Sequence, residues 1–387
     1  GAGASTELKL DRAVLDASAA GAAATFGLAG SLDGRPLRAS GRLDSIDALL
    51  AADGAPLTVT DFSTNFGDSD LAGSGSLQMD GGRPRLEADL TATRLDLRGL
   101  GAAPAADPLL AGRPLPFDVL RRFDLQLRLR AASVRTTSVE LARVELAAAL
   151  EAGRLKVQPL EFGLQDRPVA GALVVDAADE PVRVELMLSG DDLDIGPLLA
   201  SLAQDSAVEG RGDLRMQVTG RGDTVQALAA STTGRATVLM GAGMLPTDLL
   251  SRLAGGLRQL LADAAEPGKA RPFNCAVLDA RAENGLVRLD LLADGPYSTI
   301  VGDGTVDLHH QTVDLTLTPQ AHQLDLNVAV PVNVRGPLAS PDVALAEGEA
   351  VRRVASLLGA IVFPPAALGA FVDLGSAKDN ACLEIAT

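Results

Sequence analysis

The chain has 387 residues, a formal net charge of −16, 47% hydrophobic residues and only 3% aromatics. So acidic a chain has no broad field for phosphate backbones or anionic headgroups, which excludes nucleic acid as a partner class and charge-driven adsorption to a membrane. Charged residues make up 22% of the chain, so it is not a disordered type, and with no Trp and a single Tyr its apolar surface is built from Ala, Val and Leu.

In chain order, residues 1–7 read as linker or cloning-derived residues without the basic region and apolar core of a signal peptide. Residues 44–53 read as a short helix. Residues 85–97 alternate as a strand, and residues 124–130 do so clearly, with Leu125, Leu127 and Leu129 on one face and Gln126, Arg128 and Arg130 on the other. Weaker strands follow at residues 138–150 and 154–164, and a strong one carries Val182, Val184, Leu186 and Leu188 on one face. Residues 194–204 and 223–231 read as short helices on either side of a strand at 212–220. The clearest helix spans residues 246–268: Thr247 can cap it, its leucines recur at helical spacing, and Pro267 ends it. Two further stripes are Val313, Leu315, Leu317 and Leu324, Leu326, Val328, Val330. Polar turn signals at residues 80–84, 151–153, 176–181 and 283–285 separate the strands, as in antiparallel meanders. Residues 354–372 are uncharged and nearly long enough to span a bilayer, but Pro364 and Pro365 interrupt them, so a bent pair of short helices is expected.

Weak internal repeats join these pieces. Residues 85–97 resemble residues 183–195, and residues 41–49 resemble residues 220–228, with a third relative at 335–345. A repeated unit of strand, turn and short helix or bend completes its apolar face through its neighbours.

The motifs of reaction chemistry are sparse. The three histidines are His309, His310 and His322. The first two fall in a strand-like run, which would send their rings to opposite faces, and no ligand-spaced carboxylate or thiol joins them. The two Arg-Gly-Asp triplets, at 211–213 and 221–223, read as turn chemistry. No nucleophile elbow, phosphate loop or dinucleotide fingerprint is present. No catalytic residue, metal site or cofactor is expected, and no enzymatic activity. Cys275 and Cys382 lie outside any metal spacing. They are free buried thiols, one disulfide, or unrelated.

The aliphatic stripes have two readings. In one, they form the closed core of a sandwich or barrel, suited to a structural or assembly factor. In the other, a curved sheet stays open and holds acyl chains along its aliphatic side. Few helices are available to cover so many strands, which favours the second reading.

Residues 330–345, with a Pro-Val strand followed by Gly-Pro-Leu and Ser-Pro, resemble the closing motif of the AsmA family of bacterial envelope proteins. Residues 273–290, 374–382, 88–100 and 188–199 are similar to other parts of that family. The resemblance implies a periplasmic protein held in the inner membrane by an N-terminal helix, with a long β-sheet forming an apolar groove like that of bridge-like lipid transfer proteins. It implies a role in moving lipid between inner and outer membranes. The ligand class is a phospholipid or another acyl or polycyclic lipid, with envelope proteins as further partners. An oxidising periplasm makes a Cys275–Cys382 disulfide the expectation. The chain carries no anchor at its start and is expected to be a trimmed or soluble piece.

The expected architecture is mainly β: an elongated, curved antiparallel sheet, groove or half-barrel, with a few short peripheral helices. Residues 8–350 would form the repetitive β-groove, and residues 351–387 an apolar helical cap with a Cys-containing tail. The expected lipid-facing residues are Leu125, Leu127, Leu129, Val184, Leu186, Leu188, Val313, Leu315, Leu317, Leu324, Leu326, Val328 and Val330.

Overall fold

A computed structural model describes residues 8–17, 23–45, 55–80, 82–98, 112, 114–136, 139–196, 209–245, 271–296, 298–322, 331–345 and 382. The expected helices at 246–268 and 354–372, most of those at 44–53 and 194–204, and the stripe at 324–330 lie outside these residues. The chain divides into two compact units: residues 1–105 with 116–183, and residues 106–115 with 184–387.

The first unit is a meander of ten strands: β1 (Leu8–Ala17), β2 (Ala24–Leu32), β3 (Arg35–Leu43), β4 (Leu57–Phe66), β5 (Ser69–Asp80), β6 (Arg83–Asp96), β7 (Asp124–Arg135), β8 (Glu140–Glu151), β9 (Arg154–Leu164) and β10 (Arg167–Asp176). Each pairs antiparallel with the next, except that β6 and β7 are parallel. Sequence reading expected antiparallel neighbours throughout. The exception is possible because β7 starts 28 residues after β6 ends, a separation long enough for both strands to begin at the same end of the sheet, with Arg85 beside Asp124. Just before β7, a 3-10 turn, Phe117–Arg121, packs on β9. Arg121 Nε donates to the carbonyl of Ala177 at 2.6 Å.

The second unit contains β11 (Arg183–Asp194), β12 (Glu209–Arg221), β13 (Thr233–Leu245), β14 (Arg271–Phe273), β15 (Cys275–Glu283), β16 (Leu286–Asp294), β17 (Ser298–Asp307), β18 (Thr312–Ala321), β19 (Val332–Pro337) and β20 (Asp342–Leu345). β12 to β20 again run antiparallel, with β13 pairing to β14 at one end and to β15 along the rest. A short helix, α1 (Val225–Ala230), joins β12 to β13, and the Thr224 hydroxyl accepts from the Ala227 N–H at 3.0 Å to cap it. The β15–β16 hairpin turns on Asn284 and Gly285, whose φ values of 50° and 79° fit the left-handed pair that a tight hairpin needs. No helix among the described residues is long and apolar enough to cross a membrane.

His309 and His310 depart from the sequence reading. They occupy the turn between β17 and β18 rather than a strand. The Asp307 carboxylate accepts the backbone N–H of both at 2.9 Å. A turn does not alternate its side chains, so the two rings meet edge to face with centroids 4.9 Å apart. The His310 Nδ1 contact, together with those two N–H groups, holds the Asp307 carboxyl below its usual range.

Cys275 and Cys382 are joined by a disulfide across 107 residues. In the chain-entropy view such a closure stabilises by about 4–5 kcal/mol. Beside it, Val277 and Leu292 are fully buried, and Asn274 and Thr299 both donate to Asp294 at 2.7 Å.

In the first unit, the largest fully buried side chain among the described residues is Leu150, which is 1% exposed. Replacing Leu150 by Ala leaves a cavity and costs about 2–5 kcal/mol of stability, measured as a lower midpoint in chemical denaturation with an unchanged slope.

Candidate functional site

Paired residues on neighbouring strands share a face, so the registers decide which side chains lie together. In the first unit, one row runs Leu57, Leu77, Leu86, Leu125, Leu150, Leu155 and Val175 across β4 to β10. The next row is Val59, Gly75, Ala88, Leu127, Ala148, Val157 and Leu173. A third places Leu129 between Leu90 and Leu146. The expected trio on β7 is therefore the middle of an aliphatic surface seven strands wide, free of charged side chains along these rows.

The second unit repeats the pattern. Leu214, Val238, Leu278, Leu291, Gly302, Leu317 and Val332 form one row. Met216, Ala236, Ala280, Leu289, Gly304, Leu315 and Val334 form the next, and Val313 pairs with Val306 and Gly336 in a third. The expected trio on β18 is thereby joined to six other strands. Glycine at 302 makes room: a Cβ there would lie 2.8 Å from Leu317 Cδ2 and 3.1 Å from Leu291 Cβ. Val184, Leu186 and Leu188 share one face of β11, which is linked to β12 by the Arg215 bond to the Gly190 carbonyl and its pair with Asp191. Leu324, Leu326, Val328 and Val330 lie outside the described residues.

These surfaces are sealed in part: Leu150, Ala148, Val157 and Val175 in the first unit and Val332 and Val334 in the second are buried, while the rest of the rows stays more open. Leu125, Leu127, Leu129, Leu278, Leu291, Leu315 and Leu317 are all half-buried. Leu77 and Leu86, in the row of Leu125, are each 38% exposed. In the second unit, by contrast, Val277 and Leu292 are fully buried, yet they project from the opposite, polar face of β15 and β16. The most complete burial on those strands is thus on the face that alternation would leave to water.

The polar faces carry ordered charge. Arg130 faces Glu145, Arg154 faces Asp176, and Arg335 faces Asp314 as direct cross-strand neighbours, with contacts of 3.6, 2.7 and 2.8 Å. In the second unit, Thr237, Asp279, Asp290 and Asp303 form one row. Asp279 is wholly buried and accepts from Arg235 Nε at 2.6 Å and Thr237 Oγ1 at 3.1 Å, with Arg281 2.6 Å away. Among the described residues, no three His, Cys, Asp or Glu side chains are placed to hold a metal ion.

Sequence reasoning found the stripes on β7, β11 and β18 and missed their neighbours on β4, β5, β16 and β17. Residues 57–66 and 298–307 mix Thr, Ser, Gly and Asp with their aliphatics, so single-strand alternation is weak there. The glycines hide the pattern because they occupy apolar positions without an apolar side chain.

The sequence profile of the AsmA family matches residues 46–292. The AsmA family protein YhjG of Escherichia coli strain K12 is 24% identical over 355 residues, an alignment that takes in 84% of this chain and 52% of that protein. The chain therefore spans about half the length of this relative. No solved structure matches it.

The acidic row makes stability depend on pH. Burial pushes the Asp290 carboxyl up; Arg281, 3.7 Å away, opposes the rise, and Asp279 and Asp303 add to it. The folded state then holds this proton more tightly than the unfolded chain does. Its contribution is full below the ordinary value of 3.8 and falls as pH rises through the raised one. Asp290→Asn therefore increases stability at neutral pH and gives no gain in acid below that ordinary value, as read from denaturation midpoints across pH.

Proposed function

This chain belongs to the AsmA family, and on that premise we propose that it holds the acyl chains of lipids along its aliphatic sheet faces and supports lipid movement between the inner and outer membranes. The observation that carries this reading is that the uncharged aliphatic rows, buried on β8 to β10 at Leu150, Ala148, Val157 and Val175, remain half-open from β4 to β7, while burial on β15 and β16 is most complete on the opposite face. A protein that used these rows as its own core would seal them across their whole width, β4 to β7 included.

The chemistry of such a surface suits a sliding guest. Each methylene taken from water contributes about 0.8 kcal/mol, whatever its position along the chain. Leu, Val and Ala offer no hydrogen bond that would favour one position over another, and few large aromatic side chains interrupt the rows. The guest is a phospholipid or a related acyl or polycyclic lipid. The setting is the periplasm, where the full-length protein is held to the inner membrane by an N-terminal helix and meets other envelope proteins. The role is non-enzymatic: holding and conducting, with no bond made or broken.

Native mass spectrometry of the purified protein, with extraction and identification of co-purified lipid, tests the reading. Lipid-bound species are expected. Leu127→Asp is expected to reduce bound lipid severalfold while the far-UV circular dichroism stays that of a β protein. A protein that carries no lipid, or a Leu127→Asp chain that unfolds as readily as one altered at Leu150, overturns it.

A further inference from the structure

A concavity of about 600 Å³ opens over β1 to β4, away from the aliphatic rows described above. Eight of its twelve lining residues follow two cross-strand rows. One is Arg12, Ala29, Arg38 and Asn65; the other is Val14, Gly27, Ser40 and Ser63. The lining holds two arginines and no Asp or Glu, in a chain whose net charge is −16.

The arginines here differ from those paired across strands elsewhere. Arg130, Arg154 and Arg335 each sit opposite a carboxylate. Arg12 sits opposite Ala29, and Arg38 sits between Ala29 and Asn65. Neither guanidinium has a carboxylate partner among the described residues. The two flank one central strand, so their backbones are roughly 10 Å apart, within the joint reach of two long side chains. The floor between them is open, since a Cβ added at Gly27 would meet no atom within 4 Å.

We infer that this concavity binds a phosphate-type oxyanion, with the Arg12 and Arg38 guanidinium groups as two arms and the Ser40, Ser63 and Asn65 side chains as neutral donors. Guanidinium groups match the planar spread of phosphate oxygens and keep their charge at any physiological pH. The small floor lets the anion approach the sheet closely enough for the short serine hydroxyls to donate. The same chemistry serves a free phosphate or the phosphate of a lipid headgroup. This site stands apart from the aliphatic rows: lipid extraction by those rows survives its loss, and its binding survives Leu127→Asp.

The test uses the full chain with two probes: inorganic phosphate, followed by calorimetric titration, and vesicles of phosphatidylcholine with and without phosphatidic acid, followed by flotation. Saturable uptake of inorganic phosphate identifies a free-anion site. Flotation only with vesicles containing phosphatidic acid identifies a headgroup site. In either case, Arg12→Gln with Arg38→Gln weakens binding by roughly tenfold or more. Gly27→Leu, which keeps both charges but fills the floor, does the same, and Arg38→Gln alone gives a smaller loss. Circular dichroism confirms that each variant is folded. Failure of both probes to bind saturably overturns the inference. So does binding that is lost with the arginines but survives Gly27→Leu, because diffuse charge attraction does not depend on the floor.

Discussion

Everything in this protein rests on strand alternation kept in register. Successive side chains leave opposite faces, and a slip of one residue would turn an entire aliphatic set toward the polar side. The row from Leu57 to Val175 crosses seven strands without a charged residue, and this requires each pairing to be correct. Where a strand carries an extra residue, a bulge absorbs it. Asp61 in β4 and Arg143 in β8 take φ near 50° at the places where the register shifts, and the aliphatic side resumes beyond them. On the other face, Arg130–Glu145 and Arg154–Asp176 meet only in the native register. Each exposed pair contributes modestly, about 0.2–1 kcal/mol, but its geometry opposes slippage.

The aliphatic faces are unusual for what they lack. An ordinary sheet covers its greasy side with a second layer, often anchored by aromatic side chains. Here glycines at 73, 75, 302 and 304 sit on the aliphatic side; at 302 a Cβ would meet the Leu317 and Leu291 side chains, and at the other three it would meet the backbone of the neighbouring strand. The result is a floor of small and medium aliphatic groups, half-buried over β4 to β7 and closed at Leu150, Ala148, Val157 and Val175. Complete burial in the second unit is instead concentrated near the disulfide, where Cys275, Val277 and Leu292 close over a patch of the polar side. On β15 and β16, stability and the proposed lipid contact are thus carried by different faces of the same strands, whereas in the first unit the buried Leu150 belongs to the aliphatic row itself and the two roles divide along that row.

Much of this was legible before any coordinates. The clear alternation at 183–188 and the weaker alternation at 85–97, 154–164 and 212–220 place β11, β6, β9 and β12, and the turns at 151–153 and 283–285 fall where acidic, Asn and Gly residues announce them. The short helix before β13 was also legible from its cap and its run of alanines. Other features were not. The parallel pairing of β6 with β7 depends on where the chain between them returns, and nothing local in either strand encodes it. The histidine pair looked strand-like because its neighbours alternate, yet the Asp307 carboxylate captures both N–H groups and bends the chain there.

The sequence by itself determined the period, the chemistry of each face and the smoothness of the aliphatic side, because these depend only on which residue type occupies every second position. It could not determine how far each stripe extends sideways. Leu127 acquires Ala88 and Ala148 as neighbours only through pairing between segments distant in the chain, and Gly302 supports Leu317 only once β17 lies beside β18. Nor could it reveal that Arg12 and Arg38 flank the same alanine without a carboxylate between them. Both are consequences of register, which is set by the sum of all cross-strand contacts and by no single strand.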